Sequence, residues 1–392
     1  PGMFRFQEIM EMGTEAYLAR LDGISRKLFS NESINLQFTS GTTGAPKAAT
    51  LTHKNIVNNA RFVAESMQLT QKDRLCIPVP LYHCFGMVLG NLACVAGGAT
   101  MVFPGEGFDP VDTLEALNSE RCTGVHGVPT MFSAMLNCSE FGQYDLRSLR
   151  TGIMAGGPCP IELMRDVVSK VYLDQMTIAY GMTETSPVSF QSAVGDPIER
   201  RVSTVGRIQP HVEARVVNEL GDIIKVGEQG ELHTRGYLVM RGYWDDPVRT
   251  AESIDSDGWM HTGDLATIDA DGYCNIVVRV NDMLIRGGEN VYPREIEEFL
   301  LSHPAIQDVQ VFGVPDKKYG EEICAWIIPM VGNKLSLDDV RSYCDGQIAH
   351  FKIPKYVKEV SEFPMTVTGK PQKFLMRESM TEELDLEQVK TA

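Results

Sequence analysis

Thr39-Ser40-Gly41-Thr42-Thr43-Gly44-Ala45-Pro46-Lys47 packs hydroxyls, flexible backbone and one ammonium into a single short loop, directly after the alternating apolar residues Ile34, Leu36 and Phe38. Glycines let successive backbone N–H groups point into one concavity, the hydroxyls add donors and Lys47 adds charge. Such a loop suits an oxyanion-rich ligand such as a polyphosphate. It is not the Gly-x-x-x-x-Gly-Lys-Ser/Thr arrangement, because Pro46 stands immediately before the lysine. An ordinary Ser/Thr/Gly surface turn has the same composition, and the loop alone leaves both readings open.

Composition narrows the class. A chain of 392 residues is too long for one ordinary core and implies two or three domains. Hydrophobic residues make up 43% and charged residues 22%, and no apolar stretch reaches the ~18 residues of a membrane span, so no transmembrane segment is expected. The formal charge of −16 argues against nucleic acid as a partner, since phosphate backbones need basic patches. A negative protein still binds ATP where lysine, arginine, backbone amides and a metal concentrate positive potential. The nine cysteines are scattered and form no CxxC pair, which reads as reduced, buried thiols and not as a metal site. The chain begins Pro-Gly with no targeting pattern, so the expectation is that an upstream segment has been removed or is absent.

Along the first two-thirds, strand-like runs at Arg74–Val79, Thr100–Phe103, Thr123–Val128 and Met176–Ala179 alternate with helix-like Asn55–Met67, Pro110–Asn118 and Ile161–Tyr172, the pattern of an α/β domain. Asp109 before Pro110 is a helix start: a capping carboxylate, then proline at the first helical position. From about Val202 short β-like segments punctuated by glycine (Glu213–Val217, Gly230–Thr234, Leu265–Ile268, Cys274–Arg279) suggest a small sheet or barrel. Asp269-Ala270-Asp271-Gly272 lacks the ligand spacing of a calcium loop and reads as a hairpin turn. Beyond Asp282 a compact α+β unit begins, with a helix opened by Pro293, strands at Val309–Val314 and Ile323–Ile328, and a helix from about Ser336.

Four further segments follow the first loop in order: Tyr180-Gly181-Met182-Thr183-Glu184, Thr262-Gly263-Asp264, Arg279-Val280-Asn281-Asp282 and Thr368-Gly369-Lys370. Together they resemble the ordered motifs of adenylate-forming enzymes, from about Asn31 to about Arg377, and most nearly those of mitochondrial medium-chain acyl-CoA synthetases. The resemblance implies an α/β fold with a large AMP-binding domain over residues 1–280, containing a β-barrel-like subdomain from about 202 to 280, and a small mobile α+β domain over 281–392. Such enzymes carry a large stretch before the first loop, whereas this chain has about thirty residues there, so most of the first subdomain is expected to be missing.

Site roles follow from the same resemblance. Thr39, Ser40, Gly41, Thr42, Thr43, Gly44 and Lys47 would screen the ATP phosphates; Thr183 would touch phosphate and Glu184 would help hold Mg²⁺, which is satisfied by one or two carboxylates plus phosphate oxygens and water. Tyr180 would stack on adenine, Gly156 and Gly157 would line the base, Asp264 would accept from the ribose hydroxyls, and Arg279 would reach phosphate or ribose. Lys370 would bridge the attacking carboxylate and the α-phosphate. Lys373 is a nearby rival that lacks the adjacent glycine.

The segment Tyr82-His83-Cys84-Phe85-Gly86, with His83 as a candidate catalytic residue, stands where amino-acid-activating relatives show an aspartate. A pocket without that acid should prefer an uncharged acyl chain, here a fatty acid. Gly127–Phe132 resembles an acyl-tunnel wall and equally suits core packing. Coenzyme A would enter past Gly287 and Gly288 after the C-terminal domain pivots at Asn281, although stiff Val278 stands where relatives have glycine. The reading is an ATP-dependent medium-chain acyl-CoA synthetase of the mitochondrial matrix. Its rivals are an amino-acid or aryl-acid adenylation domain and a truncated chain that binds nucleotide or acyl groups without turnover.

Overall fold

The computed structural model describes residues 5–39, 47–157, 159–279, 282–287, 289–366 and 371–386, with backbone alone for Phe6, Val278 and Arg279. Two exposed helices, Phe6–Glu11 and Glu15–Ser25, lead into an antiparallel pair, β1 (Ser33–Thr39) and β2 (Lys47–Thr52), whose register sets Thr39 opposite Lys47. The alternation of Ile34, Leu36 and Phe38 does mark a strand, but its apolar face is open: the three side chains are 50%, 40% and 64% exposed, while Gln37 on the other face is buried.

The main sheet has seven strands, β3 (Arg74–Cys76), β4 (Thr100–Val102), β5 (Gly124–Gly127), β6 (Thr151–Ala155), β7 (Gln175–Gly181), β8 (Val188–Gln191) and β9 (Arg207–Ile208), in the order β4-β3-β5-β6-β7-β8-β9. Pairs from β4 to β7 are parallel and the last two antiparallel. Successive residues of a strand face opposite sides, so Leu75 and Ile153 join one apolar layer while Cys76 and Met154 join another. Helix His53–Ser66 supplies the first layer; Pro110–Ser119, Pro129–Leu136 and Ile161–Lys170 supply the second. The Asp109 cap forms as expected, accepting from Val111 N at 2.8 Å and Asp112 N at 3.0 Å.

Two local differences have clear causes. The run expected as a strand over Arg74–Val79 pairs only over Arg74–Cys76, because Pro78 and Pro80 have no N–H to donate. Conversely, Phe85–Leu92 forms a π-helix that runs into the α-helix Ala93–Gly97, where the sequence suggested no element. Phe85, Val88, Leu89, Ala93 and Cys94 are all buried there, and a helix surrounded by core lacks the polar face that would announce it.

The glycine-punctuated region takes the sheet form of the two it allowed. β10 (Val212–Val217), β11 (Gly230–Gly236), β12 (Met260–Ile268) and β13 (Cys274–Arg279) pair antiparallel in sequential order. The Asp269–Gly272 turn joins β12 to β13, and both of its aspartates pair with Arg200. A last five-stranded sheet holds β14 (Leu284–Arg286), β15 (Glu289–Val291), β16 (Ile306–Asp316), β17 (Gly320–Pro329) and β18 (Tyr356–Glu359), packed with helices Pro293–Leu301, Leu337–Cys344 and Lys373–Glu383.

Candidate active site

Gly181 decides how β7 ends. A Cβ there would lie 1.7 Å from Pro187 O, so only glycine lets the strand pair with β8 through Gly181 and Val188. Met182 N–H then donates to Pro187 O at 3.0 Å, and the chain winds into a 3₁₀ turn, Thr183–Thr185. The turn faces inward, leaving Thr183 8% and Glu184 7% exposed.

The segment 240–244 runs along β2 and brings a further side chain to this turn. Arg241 N donates to Thr50 O at 3.0 Å, Thr50 N to Gly242 O at 2.9 Å and Trp244 N to Ala48 O at 2.8 Å, while Met240 N donates to Glu184 O at 2.9 Å. Tyr243 is thereby fixed between the two. Its hydroxyl donates to Glu184 Oε1 at 2.7 Å, and Lys47 Nζ stands 5.2 Å from its ring centroid. Burial, and then the Glu184 charge, hold the Tyr243 phenol well above its ordinary pKa, so it remains a donor. Glu184 Oε2 makes no hydrogen bond among the described residues. A buried carboxylate with one oxygen left over fits a hard, oxygen-seeking cation such as Mg²⁺.

The Tyr82–Gly86 segment reaches the same turn. Thr183 hydrogen-bonds Cys84, whose thiol is pushed up to about 12 by burial and then by the charge of Glu184. His83 Nδ1 accepts from Phe85 N at 3.1 Å. At the other end of the motif, Tyr180 OH donates to Asp264 Oδ2 at 2.5 Å. Burial first, then the Asp264 charge, drives the Tyr180 phenol well above its usual range. Asp264 is 5% exposed and pairs in register with Arg279 of β13, so β12 and β13 bring those two positions side by side. Gly156 adopts a left-handed φ of +90°, which favours glycine, whereas a Cβ on Gly157 would meet nothing nearer than Pro129 at 3.9 Å.

The remaining candidates distribute as follows. Ser40, Gly41, Thr42, Thr43, Gly44, Gly288 and Lys370 lie outside the described residues, as does the side chain of Arg279. Thr39 and Lys47 pair on either side of the first loop, and Met365 and Pro371 pair on either side of the segment containing Lys370. Gly287 lies in the turn directly after β14 of the last sheet, donating to Tyr319 O at 2.8 Å. Lys373 is held by Glu297 at 2.6 Å, and Glu297 in turn accepts from Val311 N. Phe132 is fully buried in the core beside Val125 and Met135, so this part of Gly127–Phe132 serves packing. Tyr243 went unread in the sequence: a lone tyrosine after Arg241-Gly242 carries no spacing signal, and its meaning comes only from the pairing with β2.

Glu231, His233 and His261 form a second cluster, with ligand atoms within 4.8 Å of one another. Arg215 Nε donates to His233 Nδ1 at 3.3 Å, which leaves the ring proton on Nε2, the atom a metal would need. The two imidazoles also stack 4.0 Å apart at 7°, so no single ion lies in both ring planes. The cluster is polar packing between β11 and β12, anchored where Glu231 Oε1 accepts from Gly263 N at 3.1 Å.

Residues 15–244 match the AMP-binding enzyme family, and residues 295–370 match the AMP-binding enzyme C-terminal domain. The chain belongs to the AMP-binding enzyme family. This family member is 52% identical over 387 residues to YngI of Bacillus subtilis, which carries the name of an acyl-CoA synthetase; the match covers 98% of this chain and 70% of the relative. It is 45% identical over 392 residues to the mitochondrial medium-chain acyl-CoA ligase ACSF2 of Homo sapiens, covering 98% of this chain and 64% of the relative. The chain thus spans about two-thirds of the length of these relatives. ATP-bound MatB from Rhodopseudomonas palustris superposes with a TM-score of 0.83 at 31% identity, over 91% of this chain and 70% of that one. The mixed α/β architecture is that of adenylate-forming enzymes, and no helix among the described residues is long and apolar enough to cross a membrane.

Proposed function

We propose that this AMP-binding enzyme joins a medium-chain fatty acid to coenzyme A at the expense of ATP, through an acyl-adenylate. In the first step a carboxylate oxygen attacks the α-phosphorus, forming the acyl–AMP bond as the bond to pyrophosphate breaks. In the second, the CoA thiolate attacks the acyl carbonyl and AMP leaves. Bringing a carboxylate to a triphosphate opposes two anions, so the site must screen charge and align the reacting oxygens.

The observation that carries the reading is the gathering of Lys47 and Glu184 around Tyr243, beside the Tyr180–Asp264 pair. In the proposal Lys47, Thr183 and the loop from Thr39 to Gly44 receive the phosphates, with Glu184 holding Mg²⁺. Bound there, Mg²⁺ would draw charge from the phosphate oxygens. Tyr180 offers its ring to adenine alongside Gly156 and Gly157, Asp264 accepts from the ribose, and Arg279 follows on the adjacent strand. Lys370 neutralises the developing charge at the α-phosphate; Gly287 and Gly288 leave room for the pantetheine arm as residues 281–392 pivot against 1–280. His83 stands at the acyl end. Chain length and a mitochondrial setting rest on the likeness to ACSF2, and the absence of a carboxylate from Tyr82–Gly86 agrees with an uncharged acyl chain.

Carboxylate-dependent exchange of labelled pyrophosphate into ATP, run across a fatty-acid chain-length series and repeated with Lys370→Ala, tests this. Exchange that peaks with medium-chain acids and collapses in the variant is expected. Exchange with amino or aryl acids alone would move the chain to acid adenylation, and ATP binding without any exchange would make it a nucleotide-binding protein without turnover.

A further inference from the structure

We infer that Tyr243 is a positioning residue that keeps Lys47 and Glu184 apart while orienting both; the inference rests on the nucleotide reading of this site. Two opposite charges brought close inside a protein tend to pair, and a direct ion pair would cancel the ammonium meant for phosphate and the carboxylate meant for the metal. Among the described residues Lys47 and Glu184 form no ion pair. The Tyr243 ring contacts both and uses different parts of itself for each: its hydroxyl, in the ring plane, bonds Glu184 Oε1 at 2.7 Å, and its π-face receives Lys47 Nζ at 5.2 Å. One oxygen of Glu184 is thus occupied and the other left over, which fixes the direction in which the carboxylate offers a lone pair.

The ring is held from three sides. The backbone around it hydrogen-bonds to β2 through Ala48 and Thr50, its own N–H donates to Thr250 Oγ1 at 2.9 Å, and Met240 ties the segment to Glu184 O. Tyr243 is 9% exposed, so its position is set by the packed core and not by the ligand.

The two functions of the ring separate by mutation. Tyr243→Phe keeps the spacer and the π-face and removes the bond to Glu184; Tyr243→Leu removes both. The measurement is ATP affinity by calorimetry with and without Mg²⁺, accompanied by Mn²⁺ binding followed by electron paramagnetic resonance in the presence of ATP. For Tyr243→Phe, the Mg²⁺-dependent gain in ATP affinity should fall about tenfold while metal-free affinity stays within about twofold. For Tyr243→Leu, metal-free affinity should fall as well, because Lys47 loses its seat. Thermal melts of both variants show whether the fold is kept, and Tyr243→Phe, which preserves the ring volume, carries the test if Tyr243→Leu is unstable. A Tyr243→Phe variant with the wild-type response to Mg²⁺ would overturn the inference and leave the nucleotide reading intact. A wild-type chain that binds no ATP would overturn both.

Discussion

Tyr180 and Asp264 lie 84 positions apart and are joined by a 2.5 Å hydrogen bond from phenol to carboxylate. The bond ties the end of β7 in the main sheet to β12 in the antiparallel sheet, and it holds in place the carboxylate that accepts from the ribose in the proposed reading. Asp264→Asn should weaken ATP binding by roughly ten- to a hundredfold, the effect of losing a hydrogen bond to a charged group at about 1.5–3 kcal/mol. Tyr180→Phe should lose less, because the ring face remains. Calorimetric titration with ATP checks both, and equal losses in the two variants would contradict the division of roles.

Gly181 should tolerate no side chain. A Cβ there would sit 1.7 Å from Pro187 O, and both atoms belong to backbone held by strand pairing. Gly181→Ala should therefore cost about 1–3 kcal/mol by overpacking and displace the turn that carries Thr183 and Glu184. Gly157→Ala should change stability by under about 0.5 kcal/mol, its nearest neighbour being 3.9 Å away. Denaturant midpoints and ATP affinity for the pair provide the comparison.

His126 makes the fold acid-sensitive. It is fully buried, its Nδ1 accepts from Ile153 N at 3.2 Å, and its Nε2 therefore donates to Leu89 O at 2.9 Å. Burial lowers its pKa from 6.5 to about 4, against the smaller opposing effect of the Leu89 carbonyl. The unfolded chain takes up a proton below 6.5 that the folded chain refuses until about 4. Stability contributed by the neutral ring is thus complete above the unfolded value and lost as pH falls through that window, by about 3 kcal/mol in all. His126→Gln, which supplies one donor and one acceptor without titrating, should flatten the decline in unfolding free energy between neutral pH and the lower limit. An unchanged slope would remove His126 from the account.

The two C-terminal lysines should separate cleanly. Lys373 is committed to Glu297 at 2.6 Å, within the last sheet and its helices. Lys373→Ala should cost stability through the carboxylate left behind and spare pyrophosphate exchange, while Lys370→Ala should lower exchange by at least about a hundredfold, as expected for a lost donor at developing charge. Loss of exchange in Lys373→Ala at unchanged melting temperature would reverse the assignment.

Much of this protein was readable along the chain because the relevant chemistry is local. The Asp109-Pro110 cap, the alternation of strand and helix and the hairpin turn at Asp269–Gly272 all act through near neighbours. The helical course of Phe85–Gly97 was not readable, since an element wrapped in core shows no polar face. The openness of Ile34, Leu36 and Phe38 was equally hidden, because alternation specifies a strand and not what covers it.

The sequence by itself determined the type of those elements that carry a local signal and which residue types were available for phosphate, metal and ribose. Only the tertiary structure decided which of them meet. Glu184 and Tyr243 are 59 positions apart, and no short-range pattern relates them. Their contact exists because Gly181 turns β7 inward and because residues 240–244 find the open hydrogen-bonding edge of β2. Backbone groups that must be paired when buried thus brought the tyrosine to the carboxylate.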